Sequence, residues 1–213
     1  MRAGWWKRTA ARSVVAGVCA VAAAGTASCG KMNTDSKSPS YLIVNALEAW
    51  PGLNMSAAGT LLQSDVQTFV KGSTTPTVYE DTGQVTMRMA LKDVGLPSTP
   101  TLPTTTNMIT VTRYHVEYRR SDGRNTQGVD VPFAFDGGVT ASVESGDKIF
   151  TFVLVRAQAK LEAPLLALRG GGGSVVISTV AYVTFYGQDQ NGNPVSVTGT
   201  ISVNFGDWAD STT

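Results

Sequence analysis

Residues 194–205 (PVSVTGTISVNF) alternate apolar and polar side chains without a fault. Val195, Val197, Ile201, Val203 and Phe205 fall on one side; Ser196, Thr198, Thr200, Ser202 and Asn204 fall on the other. A period of two sorts these residues onto two faces only in a β-strand, with the apolar face against a core. The pattern recurs upstream. Residues 84–92 set Val85, Met87, Met89 and Leu91 against Thr86, Arg88 and Lys92. Residues 109–120 (ITVTRYHVEYRR) set Tyr114, Val116 and Tyr118 against Arg113, His115, Glu117 and Arg119, and end in the turn Ser121-Asp122-Gly123. With only 15% charged residues and 22 glycines, the composition also favours strands and turns over helices.

Other segments extend this reading. Residues 41–50 form an apolar run ended by Pro51-Gly52, and residues 60–70 are a second candidate strand. Val129, Val131, Phe133 and Phe135 alternate, and Asp136-Gly137-Gly138 reads as a turn. Residues 148–160 are apolar on both faces at their start, as a central strand would be. Residues 162–168 have the composition of a helical turn, ahead of four consecutive glycines at 170–173. Residues 175–186 and 194–205 are joined by GQDQNGN, a hairpin loop with an Asn-Gly signal. Residues 93–107 (DVGLPSTPTLPTTTN) hold three prolines and predict an exposed loop. Seven or more short strands, regular turn signals and no amphipathic helix predict one all-β sandwich over residues 41–213. The stretch RYHVEYRRSDG resembles the third strand of fibronectin type III domains, and the closing hairpin is similar to those of bacterial immunoglobulin-like domains. The resemblance implies an immunoglobulin-like, fibronectin type III-like antiparallel β-sandwich.

The N-terminus carries an address. Residues 1–12 (MRAGWWKRTAAR) are basic, residues 13–28 are apolar or small, and Cys29 follows. These are the marks of a secretory signal peptide over residues 1–28. The apolar run is too short and too rich in Ala and Gly to span a bilayer, which takes about 20 residues. Thr26-Ala27-Ser28-Cys29 resembles a bacterial lipoprotein lipobox, with Thr26 where leucine is usual. That resemblance implies a diacylglyceryl group on the Cys29 thiol and cleavage just before it. An ordinary signal cut after Ser28 or Ala24, with Cys29 left free, is the alternative. Residues 29–40 continue as a polar, flexible tether. In a host with two membranes, Gly30 in place of the aspartate associated with inner-membrane retention favours the outer membrane.

Cleavage before Cys29 would remove four of the 17 basic residues and no acidic one, leaving 13 against 16 and a formal net charge of −3. A mildly acidic chain has no electrostatic footprint for nucleic acid. The two cysteines are Cys19, inside the signal, and Cys29, so the mature chain has neither an intramolecular disulfide nor a cysteine-based metal site.

No catalytic constellation emerges. His115 is the one histidine, on a polar strand face between Arg113 and Glu117. The carboxylate pairs Glu80-Asp81, Glu144 with Asp147, and Asp207 with Asp210 read as turn residues, not as two acids held across a cleft. Asp189, Asn191 and Asn193 have calcium-like spacing, but the glycine and the terminal glutamate of an EF-hand loop are misplaced, which favours a plain hairpin turn. Arg113, Arg119, Arg120 and Arg124 form a basic group, but Tyr114 and Tyr118 alternate to the other face and do not interleave with Arg113 and Arg119. The face of Arg113, His115, Glu117 and Arg119 is therefore the candidate contact surface.

These observations imply a non-catalytic, cofactor-free envelope module for adhesion, assembly or scaffolding. It would be held to the membrane through lipid on Cys29, with another envelope protein or a polysaccharide as partner. A glycan-binding module is the alternative, for which an exposed pair of Trp50 and Trp208 would argue. A hydrolase is the third reading.

Overall fold

The computed structural model describes residues 36–52 and 58–208, all within one compact unit, Asn33–Thr213. The signal segment and Cys29 lie outside the described residues. Ten strands are described: β1 (Ser40–Trp50), β2 (Leu61–Asp65), β3 (Asp81–Leu91), β4 (Gly95–Leu96), β5 (Thr99–Pro100), β6 (Ile109–Arg119), β7 (Phe135–Val143), β8 (Lys148–Val155), β9 (Ile177–Asp189) and β10 (Pro194–Gly206). They form a three-stranded sheet in the order β1-β3-β8, a five-stranded sheet in the order β2-β10-β9-β6-β7, and the small hairpin β4-β5. Short 3-10 turns at Ala157–Leu161 and Leu165–Leu168 follow β8.

The two larger sheets share one core, as alternation requires. Val85, Met87 and Met89 of β3 are buried, and so are Val195, Val197, Ile201, Val203 and Phe205 of β10. The rings of Phe150 and Phe152 on β8 meet Phe185 on β9 edge to face, with centroids 5.7 and 5.3 Å apart. Tyr118 crosses the same core. Its hydroxyl donates to the Leu154 carbonyl at 2.6 Å. Leu154 is the extra residue where β8 pairs Val153 with Thr82 but Val155 with Asp81. The tyrosine thus satisfies a carbonyl that the ladder leaves out, and burial pushes its own pKa up.

The structure corrects four sequence expectations. First, the sheet is not purely antiparallel: β2 runs parallel to β10, pairing Leu61 with Ser202 through to Asp65 with Gly206. Second, Val129, Val131 and Phe133 belong to no named strand. Val131 is buried while Val129 is 67% and Phe133 47% exposed, so their alternation is that of a loop packed by one residue. The strand comes later, and β7 runs straight through Asp136-Gly137-Gly138. A Cβ on Gly137 would stand 2.2 Å from Cζ of Tyr114, so glycine is there to admit the ring, not to turn the chain. Third, β8 is an edge strand with Ile149 56% exposed, not a central one. Fourth, residues 36–40 are folded onto the domain, whereas the sequence places them in the flexible tether. Ser38 and Ser40 are buried, and Lys92 N–H donates to the Pro39 carbonyl at 2.9 Å.

β6 contains a bulge. Val111 pairs with Gly187 and Arg113 with Tyr186, which leaves Thr112 over. The extra residue shifts the phase of alternation, so Ile109 and Val111 face inward before it and Tyr114, Val116 and Tyr118 face inward after it. Without that bulge, Arg113 would share a face with Ile109 and Val111.

The polypeptide enters at one end of the sandwich. There Ser40 pairs with Leu91, Met89 N–H donates to Glu144, Ile109 pairs with Asp189, and Gln190 Nε2 donates to Met108. The opposite end carries Trp50 paired with Thr82 and Arg119 paired with Val180.

Candidate contact face

The outward side of the five-stranded sheet carries Arg113, His115, Glu117 and Arg119 from β6, as the alternation predicts. Arg113 and Arg119 side chains are 54% and 51% exposed. The rungs beside them on β9 are Tyr186 opposite Arg113, Thr184 opposite His115 and Tyr182 opposite Glu117. The guanidinium carbon of Arg113 lies 4.1 Å from the Tyr186 ring centroid, and that of Arg119 lies 4.7 Å from the Tyr182 centroid. Each is a cation–π pair of about 0.5–1 kcal/mol at such an exposed site.

Aromatic and basic side chains interleave on this face through residues that the sequence reading did not consider. Tyr114 and Tyr118 are inside as predicted, but the tyrosines on the face come from β9. The signal was legible: Tyr182, Thr184 and Tyr186 alternate with Val183 and Phe185. What the sequence could not supply was the pairing of β9 with β6.

Acidic partners fix the cations. Arg119 grips Glu117 through Nε and an Nη nitrogen, both at 2.9 Å. These hydrogen bonds hold the Glu117 carboxyl below its ordinary pKa. On β7, Asp136 lies 3.1 Å from an Nη of Arg113 and 3.3 Å from Nδ1 of His115. On β10, the Thr198 and Thr184 hydroxyls meet at 2.9 Å. The result is a mixed-charge, hydroxyl-rich face whose two arginines are pre-oriented by aromatic rings and carboxylates. Arg120 and Arg124 do not join it. Both bind Asp122 in the following turn, where the Arg120 hydrogen bonds pull the Asp122 pKa down.

The other candidates resolve into structural roles. Asp189 Oδ1 accepts the Asn191 and Asn193 backbone N–H groups, both at 2.9 Å, and Oδ2 accepts Asn193 Nδ2 at 2.9 Å. The carboxylate is spent on closing the hairpin, and Asn193 turns its amide nitrogen, not its oxygen, toward it. Among the described residues no cluster of three or more His, Cys, Asp or Glu is arranged to hold a metal. Trp50 is 8% exposed, and Trp208 is partly buried with its indole N–H donating to the Ser64 carbonyl at 3.2 Å. The exposed tryptophan pair that would favour glycan is therefore not formed.

The carboxylate pairs also separate. Asp147 accepts from Asn45 Nδ2 at 2.6 Å, and Asp207 accepts the Gly170 N–H at 2.6 Å; Asp210 lies outside the described residues. Asp81 is not a turn residue at all: it is buried against Lys160, an ion pair that sequence reasoning missed.

The chain matches no protein-family model, no curated protein and no solved structure.

Proposed function

We propose that this chain is a non-catalytic envelope lipoprotein: acylated on Cys29 after removal of residues 1–28, and presenting an immunoglobulin-like, fibronectin type III-like sandwich to another envelope protein. In a two-membraned host the outer membrane is its place. The strand order supports the finer fold type. The chain alternates between sheets so that β1, β3 and β8 face β6, β7, β9 and β10, the arrangement of immunoglobulin-like domains in which a strand after the third joins the sheet of the last two. β2, parallel to β10, then corresponds to a first strand that switches sheets.

The observation that carries the binding role is the pair of stacks, Arg113 on Tyr186 and Arg119 on Tyr182. It also ranks the partners. A sugar ring would stack on an open tyrosine face, and a guanidinium already covers one face of each ring. A protein surface with carboxylates can instead take the outward edges of both arginines.

Two measurements test the proposal. Intact mass of the chain purified from a bacterial envelope should show a lipid adduct on a chain beginning at Cys29; an unmodified thiol there sinks the anchor. Capture from detergent-solubilised envelope should yield a partner that binds the parent and not the Arg113→Ala/Arg119→Ala variant. Equal capture by both removes the face.

A further inference from the structure

Residues 93–106 are exposed throughout, yet they are built. Strands β4 and β5 pair Leu96 with Thr99, Thr101 N–H donates to the Val94 carbonyl at 3.0 Å, and Gly95 N–H donates to Asp93 Oδ1 at 2.9 Å. This projecting hairpin holds Val94, Leu96 and Leu102 at 67, 65 and 73% exposure. From Val94 to Thr112 the sequence contains no ionisable side chain.

The place of the hairpin is specific. Its base is where the N-terminal segment joins the domain: Lys92 N–H donates to the Pro39 carbonyl, and Lys92 Nζ donates to the Ser36 carbonyl. Six residues separate Cys29 from Ser36, and the seven steps between them span at most about 25 Å when fully extended. A lipid on Cys29 would therefore keep this end of the sandwich within about 25 Å of the anchor.

We propose that the β4-β5 hairpin dips into the surface of the phospholipid bilayer that holds Cys29. The proposal rests on the acylated-cysteine reading and adds to it a second membrane contact that sets the orientation of the domain. Three exposed aliphatic side chains gathered on one short segment without charge suit an apolar fluid. With no charge to desolvate, the threonines, serine and prolines can rest among the headgroups. Tethering supplies a high local concentration, so three side chains suffice where free protein would bind weakly. The equally exposed Val129, next to Asp130 in the chain, follows the opposite, Arg119 end of β6.

The test uses the chain from Cys29 onward, which keeps every described residue and has Cys29 as its single cysteine. It is coupled through that thiol to a maleimide lipid in phosphatidylcholine/phosphatidylglycerol vesicles, so the anchor is present whatever the cell attaches. Leu102→Trp and Val129→Trp chains report depth against the constant background of Trp50 and Trp208. The expected result is a blue shift and quenching by brominated lipid for Leu102→Trp, and neither for Val129→Trp. Both signals should vanish when Val94→Ser and Leu96→Ser are added to Leu102→Trp, with the melting temperature unchanged. Emission from Leu102→Trp that is the same on vesicles as in solution overturns the proposal, as does a shift that appears only with added envelope protein. The mass of the cellular chain decides the acylation separately, so either reading can fail without the other.

Discussion

The Lys160 ammonium lies 2.9 Å from the Asp81 carboxylate, and each side chain is only 1% exposed. Ser64 Oγ donates to the same carboxylate oxygen at 2.6 Å, and the Gly52 N–H donates to the other at 3.0 Å. One carboxylate thus ties together β2, β3, the turn after β1 and the 3-10 turn after β8. Burial pushes its pKa up against the pull of Lys160. Removing one partner strands a buried charge, which is far more costly than removing both. Asp81→Ala should therefore destabilise the domain by about 3–5 kcal/mol, and Asp81→Leu combined with Lys160→Met should recover most of that loss. Denaturant unfolding of both variants checks this. A double variant as unstable as the single one would mean that the hydrogen bonds to Ser64 and Gly52, not the charge, carry the stability.

The two faces of β6 predict opposite responses. Val116 is fully buried, and Val116→Ala should cost about 1–3 kcal/mol through the cavity it leaves. Arg119 is half exposed, and its grip on Glu117 and Tyr182 is screened by solvent, so Arg119→Ala should change stability by less than about 0.5 kcal/mol. Equilibrium unfolding in urea separates them. Arg119→Ala unfolding the domain while Val116→Ala is silent would contradict the bulge at Thr112 and the register that follows from it.

Adjacent glycines on β7 offer a sharper contrast. A methyl on Gly137 meets the Tyr114 ring at 2.2 Å, whereas a methyl on Gly138 meets nothing within 4 Å. Gly137→Ala should lower stability by about 1–3 kcal/mol through overpacking. Gly138→Ala should be neutral or mildly stabilising, within about 1 kcal/mol, by restricting the unfolded chain. Paired thermal melts read the difference. Equal effects would show that Tyr114 yields without strain.

What could be read from the sequence follows a physical line. The strands of residues 84–91, 109–119 and 194–205 were legible because each has one wet and one dry face, and period two is then unambiguous. β7 was misread because Asp-Gly-Gly is turn chemistry locally, and only the Tyr114 ring on a neighbouring strand explains those glycines. The sequence of β8 suggests a central strand because Ile149, Phe150 and Phe152 are all apolar, although only the inward ones are covered. On the outward face of β6, Arg113, His115, Glu117 and Arg119 followed from alternation alone. Tyr182 and Tyr186 did not, because which strand lies beside β6 is a property of topology and not of pattern. The Asp81–Lys160 pair was invisible for the same reason, as its partners are far apart in the chain.

Asp189 gives a pH-dependent prediction. Burial alone would raise its pKa, but hydrogen bonds from the Asn193 side chain and backbone, the Ser38 hydroxyl and the Asn191 N–H outweigh this and leave it lowered. A carboxyl with a lowered folded pKa contributes stability that is fully present above its unfolded value, about 3.9, and is lost as pH falls from there through the folded value. Asp189→Ala should therefore cost about 1–3 kcal/mol at neutral pH, where charge-assisted bonds are removed. The gap from the parent should narrow as pH drops below about 4, because protonation then weakens the same bonds in the parent. Since the carboxylate oxygens are already engaged within the hairpin, millimolar calcium or EDTA should leave the melting temperature of the parent unchanged. Urea titrations of both chains across pH 2–7, with calcium and EDTA arms at neutral pH, measure all of this. A gap that stays constant through the acid range would mean that Asp189 acts by shape and not by charge. A calcium-dependent rise in melting temperature that disappears in Asp189→Ala would instead restore Asp189, Asn191 and Asn193 as a cation site.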